Sequence, residues 1–445
     1  MRSRRGVDTF TCLVRKEWRE LMASRSWWVM LLLIGPLVGV SFISAVRTYG
    51  ELSGVNGTAA GVGEAFSPLI GIWAPTFSAC ELAAAFLLPF VAIRLVAGDR
   101  LSGALLLELQ QPFPAFARVL AKATVLMGGW LIASAAPMLG VLLWWIYGGS
   151  IHVPELLTVL TGHVLNAGLA MALAAAAATI TEHPSTAAIV TLTVTVGGWI
   201  INFAAAVNGG IWERLAHYTP TAMVGEFQHG LVRLEIVLVA SALTCAGLGL
   251  AAIWTRLGQT SSRRAIESAV LLASTTIVIV ACTFVRPSWD TSEARLNSFA
   301  LVDQRRLESL DVPLRLEAHL APEDPRRADL ERNAISKLRR TVRDFDIRYV
   351  SETTTGLFEQ TREQYGQIHY QLGSRTGVSR ATTVEGVLNE IYTLAEIAPD
   401  RDGYEEDVFR GRPLAATPRG AAPLFYMGWP ALVAVVALIA RGRSA

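Results

Sequence analysis

The stretch GDRLSGALLLELQQPFPAFARVLAK, residues 98–122, lies between two long apolar runs, and its reading decides how the rest of the chain is understood. Gly98 and Gly103 bracket a turn. Leu105, Leu106, Leu107 and Leu109, with Glu108 among them, predict a short helix that Pro112 and Pro114 end. The segment AFARVLAK then leads into the next apolar run. A simple anchor has no need of a structured, charged segment at such a place, whereas a bundle that receives force from a soluble partner does.

The 445 residues are 52% hydrophobic and only 17% charged, which is high in apolar content for a soluble protein. The charges crowd the N-terminus, a few short loops and one block from Arg286 to Arg419. A net charge of +2 proposes no nucleic-acid partner. Of the four cysteines, none falls in the charged block, so that block has neither a disulfide framework nor a thiol nucleophile. The first apolar run follows some 25 residues of charged sequence and is long enough to stay as an anchor, so no cleavable signal peptide is expected.

A bilayer core of roughly 30 Å needs about 20 apolar residues in a helix. Eight segments meet that length within a few residues: about 27–46, 69–96, 123–147, 155–180, 186–207, 232–254, 265–285 and 423–440. Pro184 in TEHPST begins a helix more easily than it continues one, which suits a tight turn between the fourth and fifth spans. Arginine and lysine in the short connections fix the direction. With both termini in the cytoplasm, the inner side holds the basic N-terminus, Arg94, Arg100, Arg118, Lys122, Arg256, Arg263, Arg264, Arg441 and Arg443, and the short outer connections hold only Arg47, Arg214 and Arg233. The block at 287–422 is then extracytoplasmic and too long for its own charges to govern topology.

Residues 8–25, DTFTCLVRKEWRELMASR, read as an amphipathic helix, with Phe10, Leu13, Val14, Trp18, Leu21 and Met22 at the 3.6 period and Arg15, Lys16, Arg19 and Glu20 opposite. Such a helix lies in the interface plane, basic face toward lipid phosphates; the plainer alternative is a topogenic anchor.

Here the chain resembles the membrane subunits of type-2 ATP-binding-cassette (ABC) exporters. Asp99, Arg100, Gly103, Leu106, Glu108, Pro112 and Lys122 stand in the order of that family's pattern between spans two and three, with Ala104 where a threonine is usual. VRKEWRELMASRSWW, with Lys16, Glu17 and Trp18, looks like the family's opening. The resemblance covers roughly residues 8–256. It implies that 98–118 is a coupling helix seated in a cleft of a separate ABC ATPase subunit, that ATP and Mg bind to that partner, and that the permease pairs with itself or a sister permease. The chain has only three lysines, Lys16, Lys122 and Lys337, and none follows a glycine, so it carries no phosphate-cradling loop of its own. No catalytic residue and no metal site is expected in it.

Polar groups inside the spans are costly, on the order of 2.5–3.5 kcal/mol for a charge at mid-bilayer. Glu81 in the second span is one such group, and His163 and Asn166 on one face of the fourth span, with Asn202 on the fifth, are its candidate partners. They are either a substrate-path contact or an interhelical hydrogen bond that holds the bundle together. The outer connection 208–231 mixes aromatics with Glu213, His217, Glu226 and His229 but shows no ligand spacing, so interfacial anchoring explains it better than a metal. In the resembling family this region forms short re-entrant helices near the outer exit.

In the charged block, VPLRLEAHL (312–320) alternates as a strand, RRADLERNAISKLRRTVRDF (326–345) has helical spacing, and DIRYVS (346–351) returns as a strand parallel to the first. GQIHYQLG (366–373) predicts a further strand and VEGVLNEIYTLAEI (384–397) a further helix. Arg286, Trp289, Asp290, Thr291, Ser298 and Pro313 resemble the opening of the auxiliary module of gliding-motility-type ABC systems. His319 and His369 have no nucleophile pattern beside them, so a binding or docking module is favoured over an enzyme.

The expectation is therefore an all-α polytopic membrane protein of about eight transmembrane helices with an α/β extracytoplasmic domain inserted before the last span. Its parts are an interface helix (1–26), a six-span permease core (27–256), a seventh span (257–286), the outer domain (287–422) and an eighth span with a basic tail (423–445). It would sit in the cytoplasmic (inner) membrane as the non-catalytic permease of an ABC exporter. Its partners would be the ATPase, a second permease, membrane lipids and an extracytoplasmic envelope protein, with no nucleic acid. The alternative function is an ATPase-coupled scaffold or mechanotransmitter that controls a cell-envelope partner.

Overall fold

The computed structural model describes residues 2–52, 67–104, 110, 113–208, 211–256, 258–293, 295–310, 312–321, 324–350, 364–397 and 419–442. Among them, eight helices are long and apolar enough to cross a membrane: Arg25–Glu51, Leu69–Arg100, Ala115–Ile146, Val153–Ile180, Pro184–Ala205, Leu234–Trp254, Ser261–Cys282 and Ala421–Gly442. The chain is a mostly helical, polytopic membrane protein.

The third span begins at Ala115, eight residues before the apolar run does. Pro114 in an extended conformation starts the helix, and Arg118 and Lys122 lie buried within its first two turns, so packing rather than hydropathy sets its start. It breaks at Ser134, whose hydroxyl donates to the Trp130 carbonyl at 2.9 Å, and Pro137 in the next turn has no N–H to bridge the break. The fourth span ends at Ile180 and the fifth begins at Pro184, as the TEHPST turn requires.

The contacts divide the chain into two units: residues 1–199, 218–289 and 409–445 in the first, residues 200–217 and 290–408 in the second. In the first unit the fourth span is the central post, with buried residues along most of its length. Its alanines let neighbours approach closely. A Cβ on Gly247 of the sixth span would meet the Ala172 backbone at 3.0 Å, and one on Gly162 would collide with the Phe227 ring.

The last span is clasped by the first. Gly35 and Gly39 stand one turn apart and form a groove that receives Trp429 and Phe425, also one turn apart. A side chain at either glycine would overlap the incoming ring. The Trp429 indole N–H donates to the Leu31 carbonyl at 2.7 Å, and the Phe42 and Phe425 rings lie 6.0 Å apart. This small-xxx-small seam takes the place of a water-driven hydrophobic force, which lipid does not supply. Outside the clasp, little of the seventh and eighth spans is covered by the rest of the chain: 6% and 11% of their apolar windows are buried, against 61% for the fourth.

The second unit contains a four-stranded sheet: β1 (Leu314–Ala318), β2 (Phe345–Tyr349), β3 (Ile368–Leu372) and β4 (Arg375–Ser379), in the order β2-β1-β3-β4. β1 pairs parallel with β2, as the strand–helix–strand spacing requires, and antiparallel with β3. Leu314, Leu316 and Ala318 alternate onto one face. There they meet Leu330, Ile335 and Leu338 of the helical run Pro325–Thr341 and Val387 and Ile391 of the helix Val384–Ala395. β4, RTGVS, is a strand that no apolar alternation announces. It forms because Gly373, at φ +59°, turns the chain back onto β3. A buried hydrogen bond from the Tyr392 hydroxyl to Asp303 Oδ1, 2.6 Å, ties the helix Leu301–Glu308 to the helix Val384–Ala395.

Two measurements test these contacts. Trp429→Ala should cost about 3 kcal/mol of stability in detergent melts, as for other large-to-small core changes; an unchanged midpoint would refute the clasp. In the second unit, Lys337 donates to the Ser298 carbonyl at 3.1 Å, and burial pushes its ammonium down from 10.5 to about 8. Above pH 8 the folded form gives up a proton that the unfolded form keeps to about 10.5, so stability should rise with pH across that window. Pulse proteolysis in urea, scored on fragments from 290–397, should show that rise in the parent and a flat profile in Lys337→Met.

Candidate functional site

The amphipathic helix at the N-terminus runs Arg2–Ala23 and packs on the third span, where Trp18 faces Gly128 and Leu21 faces Gly129. Its buried line is Leu13, Glu17 and Leu21, one residue every turn. A carboxylate thus sits in the middle of the face that packs inward. Val14, Trp18 and Met22, read from sequence as part of the apolar stripe, are half-buried beside that line.

Glu17 meets Lys122 and Asp99. The Lys122 ammonium donates to Glu17 Oε2 at 2.7 Å, to the Leu95 carbonyl at 3.3 Å, and in a very short contact to Asp99 Oδ2. Its three donors are therefore all used. Lys16 closes the group from outside, at 3.3 Å from Glu17 Oε1, 3.4 Å from Asp99 Oδ1 and 3.0 Å from Glu20 Oε1. Glu17, Asp99 and Lys122 are all less than a tenth exposed. Burial pushes the Glu17 carboxyl above its ordinary range even though the Lys122 ammonium pulls it down. Glu17, Glu20 and Asp99 are the one trio of described side chains spaced to share a cation, and the two lysine ammoniums already occupy the space among them.

The next residue makes a different bond. Arg100 reaches the C-terminal end of the fourth span and donates to the Thr179 and Thr181 carbonyls, both at 3.0 Å. Carbonyls at a helix C-terminus have no partner within the helix, and a cation there also opposes the helix dipole. Gly103 holds φ +75° at the turn, where a side chain would be strained. Ser102 supports that turn by donating to the Gly98 carbonyl at 2.9 Å. Leu106, Glu108 and Pro112 lie outside the described residues. Of the seven residues expected to couple to a partner, Asp99 and Lys122 thus join the ion cluster, Arg100 caps the fourth span and Gly103 makes a turn. Lys16 and Glu17 of the N-terminal helix belong to the same cluster.

A second polar group lies inside the bundle. Glu81 faces hydrogen-bonding partners Thr221, Trp199 and Gln228, and lines a narrow cavity, about 320 Å³ with its open mouth included, with Asn166, Thr195 and Thr221. His163 is fully enclosed, 3.4 Å from Gln228 Nε2 through its Nε2 and stacked 5.4 Å from the Phe77 ring. Its Nδ1 has no partner among the described residues. Gln228 also approaches the Ser78 hydroxyl, at 3.5 Å. Asn166 therefore shares the Glu81 cavity, His163 connects to Glu81 through Gln228, and Asn202 belongs to the second unit. Sequence reasoning missed Gln228 because it comes from the short helix Pro220–Gln228, which Thr219 caps and whose Phe227 and Gln228 turn into the bundle.

Three charged residues around the start of the sixth span are engaged with one another. Arg233 bridges Glu226 at 3.4 Å and Glu235 at 2.6 Å, and Glu235 accepts from the Tyr218 hydroxyl at 2.8 Å. Burial first, and then that carboxylate, push the Tyr218 hydroxyl up to about 12. His229 Nδ1 lies 2.6 Å from the Gly225 carbonyl.

The chain matches no family model, no curated protein and no solved structure.

Removing Lys122 alone leaves two buried carboxylates facing each other, so Lys122→Met should cost about 3–5 kcal/mol in detergent melts. The triple variant Glu17→Gln, Asp99→Asn, Lys122→Met should regain most of that loss, because the uncompensated charges are gone. If the single and triple variants melt together, the cluster does not hold the N-terminal helix.

Proposed function

We propose that this chain is the permease subunit of an ABC exporter, driven by an ATPase on another polypeptide. The observation that carries this reading is the Glu17–Lys122–Asp99 cluster. It ties together the N-terminal helix, the end of the second span and the start of the third, on either side of the segment 101–114. A push delivered to that segment reaches three helices at once. Arg100 extends the connection to the fourth span. On this reading the ATPase, carrying ATP and Mg, meets the segment around Leu106, Glu108 and Pro112, while Asp99 and Lys122 transmit force from behind it.

The rest of the proposal follows the positive-inside charge distribution. Both termini are cytoplasmic in the inner membrane, the sheet-bearing unit is an extracytoplasmic α/β domain inserted before the last span, and two permeases work as a pair. Glu81, Asn166 and His163, with Gln228, form a polar path within the bundle that a substrate or a gating movement engages. A second reading, an ATPase-coupled scaffold or mechanotransmitter acting on an envelope protein, is favoured by one feature. The sheet-bearing segment is strung between the seventh and eighth spans, which the rest of the chain covers least.

Affinity purification of the full chain in detergent should bring down an ATPase with a phosphate-binding lysine loop. Glu108→Arg should reduce its recovery about tenfold by removing a charge-assisted contact. Equal recovery with parent and variant would overturn the coupling assignment. ATP-driven export in vesicles, present or absent, separates transporter from mechanotransmitter.

A further inference from the structure

The cavity beside Glu81 contains a carboxylate whose charge the bundle does not cancel. Thr221, Trp199 and Gln228 hydrogen-bond to it, and all three are neutral groups. Among the described residues no lysine or arginine pairs with Glu81, and none lines the cavity. His163 stands behind the Gln228 carboxamide, 3.4 Å from it, and forms no ion pair with Glu81. Neutral donors lower the cost of placing a carboxylate in a span but leave its charge in place. An opposite charge is still wanted there.

A second group indicates what supplies it. Asn166 is only 9% exposed and lines the same cavity from the fourth span, yet its carboxamide makes no hydrogen bond among the described residues. A buried amide without a partner is costly. The fifth span contributes the Thr195 hydroxyl, whose one proton is directed to backbone, the Thr191 carbonyl being at 3.2 Å. Its oxygen keeps lone pairs for another partner. Thr221, from the short helix Pro220–Gln228, adds a second hydroxyl. Oxygen-bearing side chains from four separate elements thus line one space.

The size of that space and its chemistry narrow the occupant. Most of the 320 Å³ is the open mouth, and the cavity has room for only one or two water-sized particles. A substituted ammonium does not fit. Calcium takes six to eight oxygens and magnesium keeps a shell of waters, whereas this space is small and has a single carboxylate. No sulfur or imidazole lines it, so a soft transition metal finds no preferred ligand. A proton would neutralise Glu81 and leave Asn166 without a partner. A water would pair with Asn166 and leave the charge.

A small monovalent cation answers both needs, and we propose that the cavity is a binding site for one sodium ion, held by the Glu81 carboxylate, the Asn166 carbonyl and the Thr195 and Thr221 hydroxyls. The ion has a structural effect. The fifth span is loosely held, with 28% of its apolar window buried against 61% for the second and fourth. Thr195 reaches the Ala85 carbonyl at 3.4 Å, and the Trp199 ring lies 5.7 Å from Phe86. Sodium adds a bond between that span and the two beside it, so occupancy sets how firmly the fifth span is attached. This inference deepens the reading of the polar path around Glu81 and rests on it, by naming the ion that occupies it.

The test uses the full-length chain in detergent at pH 8, with no ATPase present. Radiolabelled sodium should bind saturably, one ion per chain. Sodium chloride should raise the melting midpoint, and choline chloride at equal concentration should not. Glu81→Gln should abolish both effects. Asn166→Leu and Thr195→Val should each weaken binding about tenfold, as for the loss of one polar contact to a charge. Thr193→Val, which removes a hydroxyl of the same span outside the cavity, should bind as the parent does. Melting midpoints without sodium establish that each variant is folded, and if Asn166→Leu is not, Glu81→Gln and Thr195→Val decide. Equal effects of sodium and choline, parent-like binding by Glu81→Gln, or no bound sodium at all, as when a proton or a water alone fills the site, would overturn the proposal. Failure to bind sodium leaves the exporter reading standing, and failure to recover an ATPase leaves the sodium site standing.

Discussion

An ammonium removed from water is tolerable only where every one of its protons finds an acceptor and its charge an opposite. Lys122 meets both conditions, with Glu17 from one helix, Asp99 from another and the Leu95 carbonyl as its three acceptors. No two of the contributing segments can shift apart without leaving a buried charge unmatched. The N-terminal helix has its position from this constraint, as does the junction of the second and third spans. The turn at Gly103, φ +75°, starts from that fixed junction.

Much of the architecture was legible in the sequence because hydropathy and charge are one-dimensional signals. Seven of the eight spans begin within a few residues of their apolar runs, and Pro184 opens the fifth as its chemistry requires. The third was misjudged at its start because Arg118 and Lys122 count against an apolar window, although both lie buried in the helix. Residue pattern identified β1, β2 and β3 as strands and the parallel pairing of the first two, while the antiparallel pairing of β3 with β1 was not legible there and β4 has no pattern of its own and depends on its neighbour.

The candidate site was legible as a set of residues but not as an arrangement. Lys16, Glu17, Asp99 and Lys122 stood out singly, yet nothing in the spacing says that residues 17, 99 and 122 meet. One local signal was available. Glu17 falls between Leu13 and Leu21 on the inward face of an amphipathic helix, and a carboxylate at such a position demands a buried cation somewhere in the chain. With three lysines and 36 arginines in the chain, the signal asks for a partner without naming it. The neighbourhood of Glu81 was harder to anticipate, since Gln228 arrives from a short helix whose inward turn has no periodic signature.

The groove formed by Gly35 and Gly39 has a consequence for biogenesis. It lies on the helix Arg25–Leu52, and the rings that fill it are some 390 residues further along the sequence. Until the segment that carries Phe425 and Trp429 has been made and inserted, no ring covers the two glycines. The seam is therefore a mark of synthesis past Trp429: a chain that stops before it keeps an unfilled notch beside Gly35 and Gly39, open to recognition by membrane quality control.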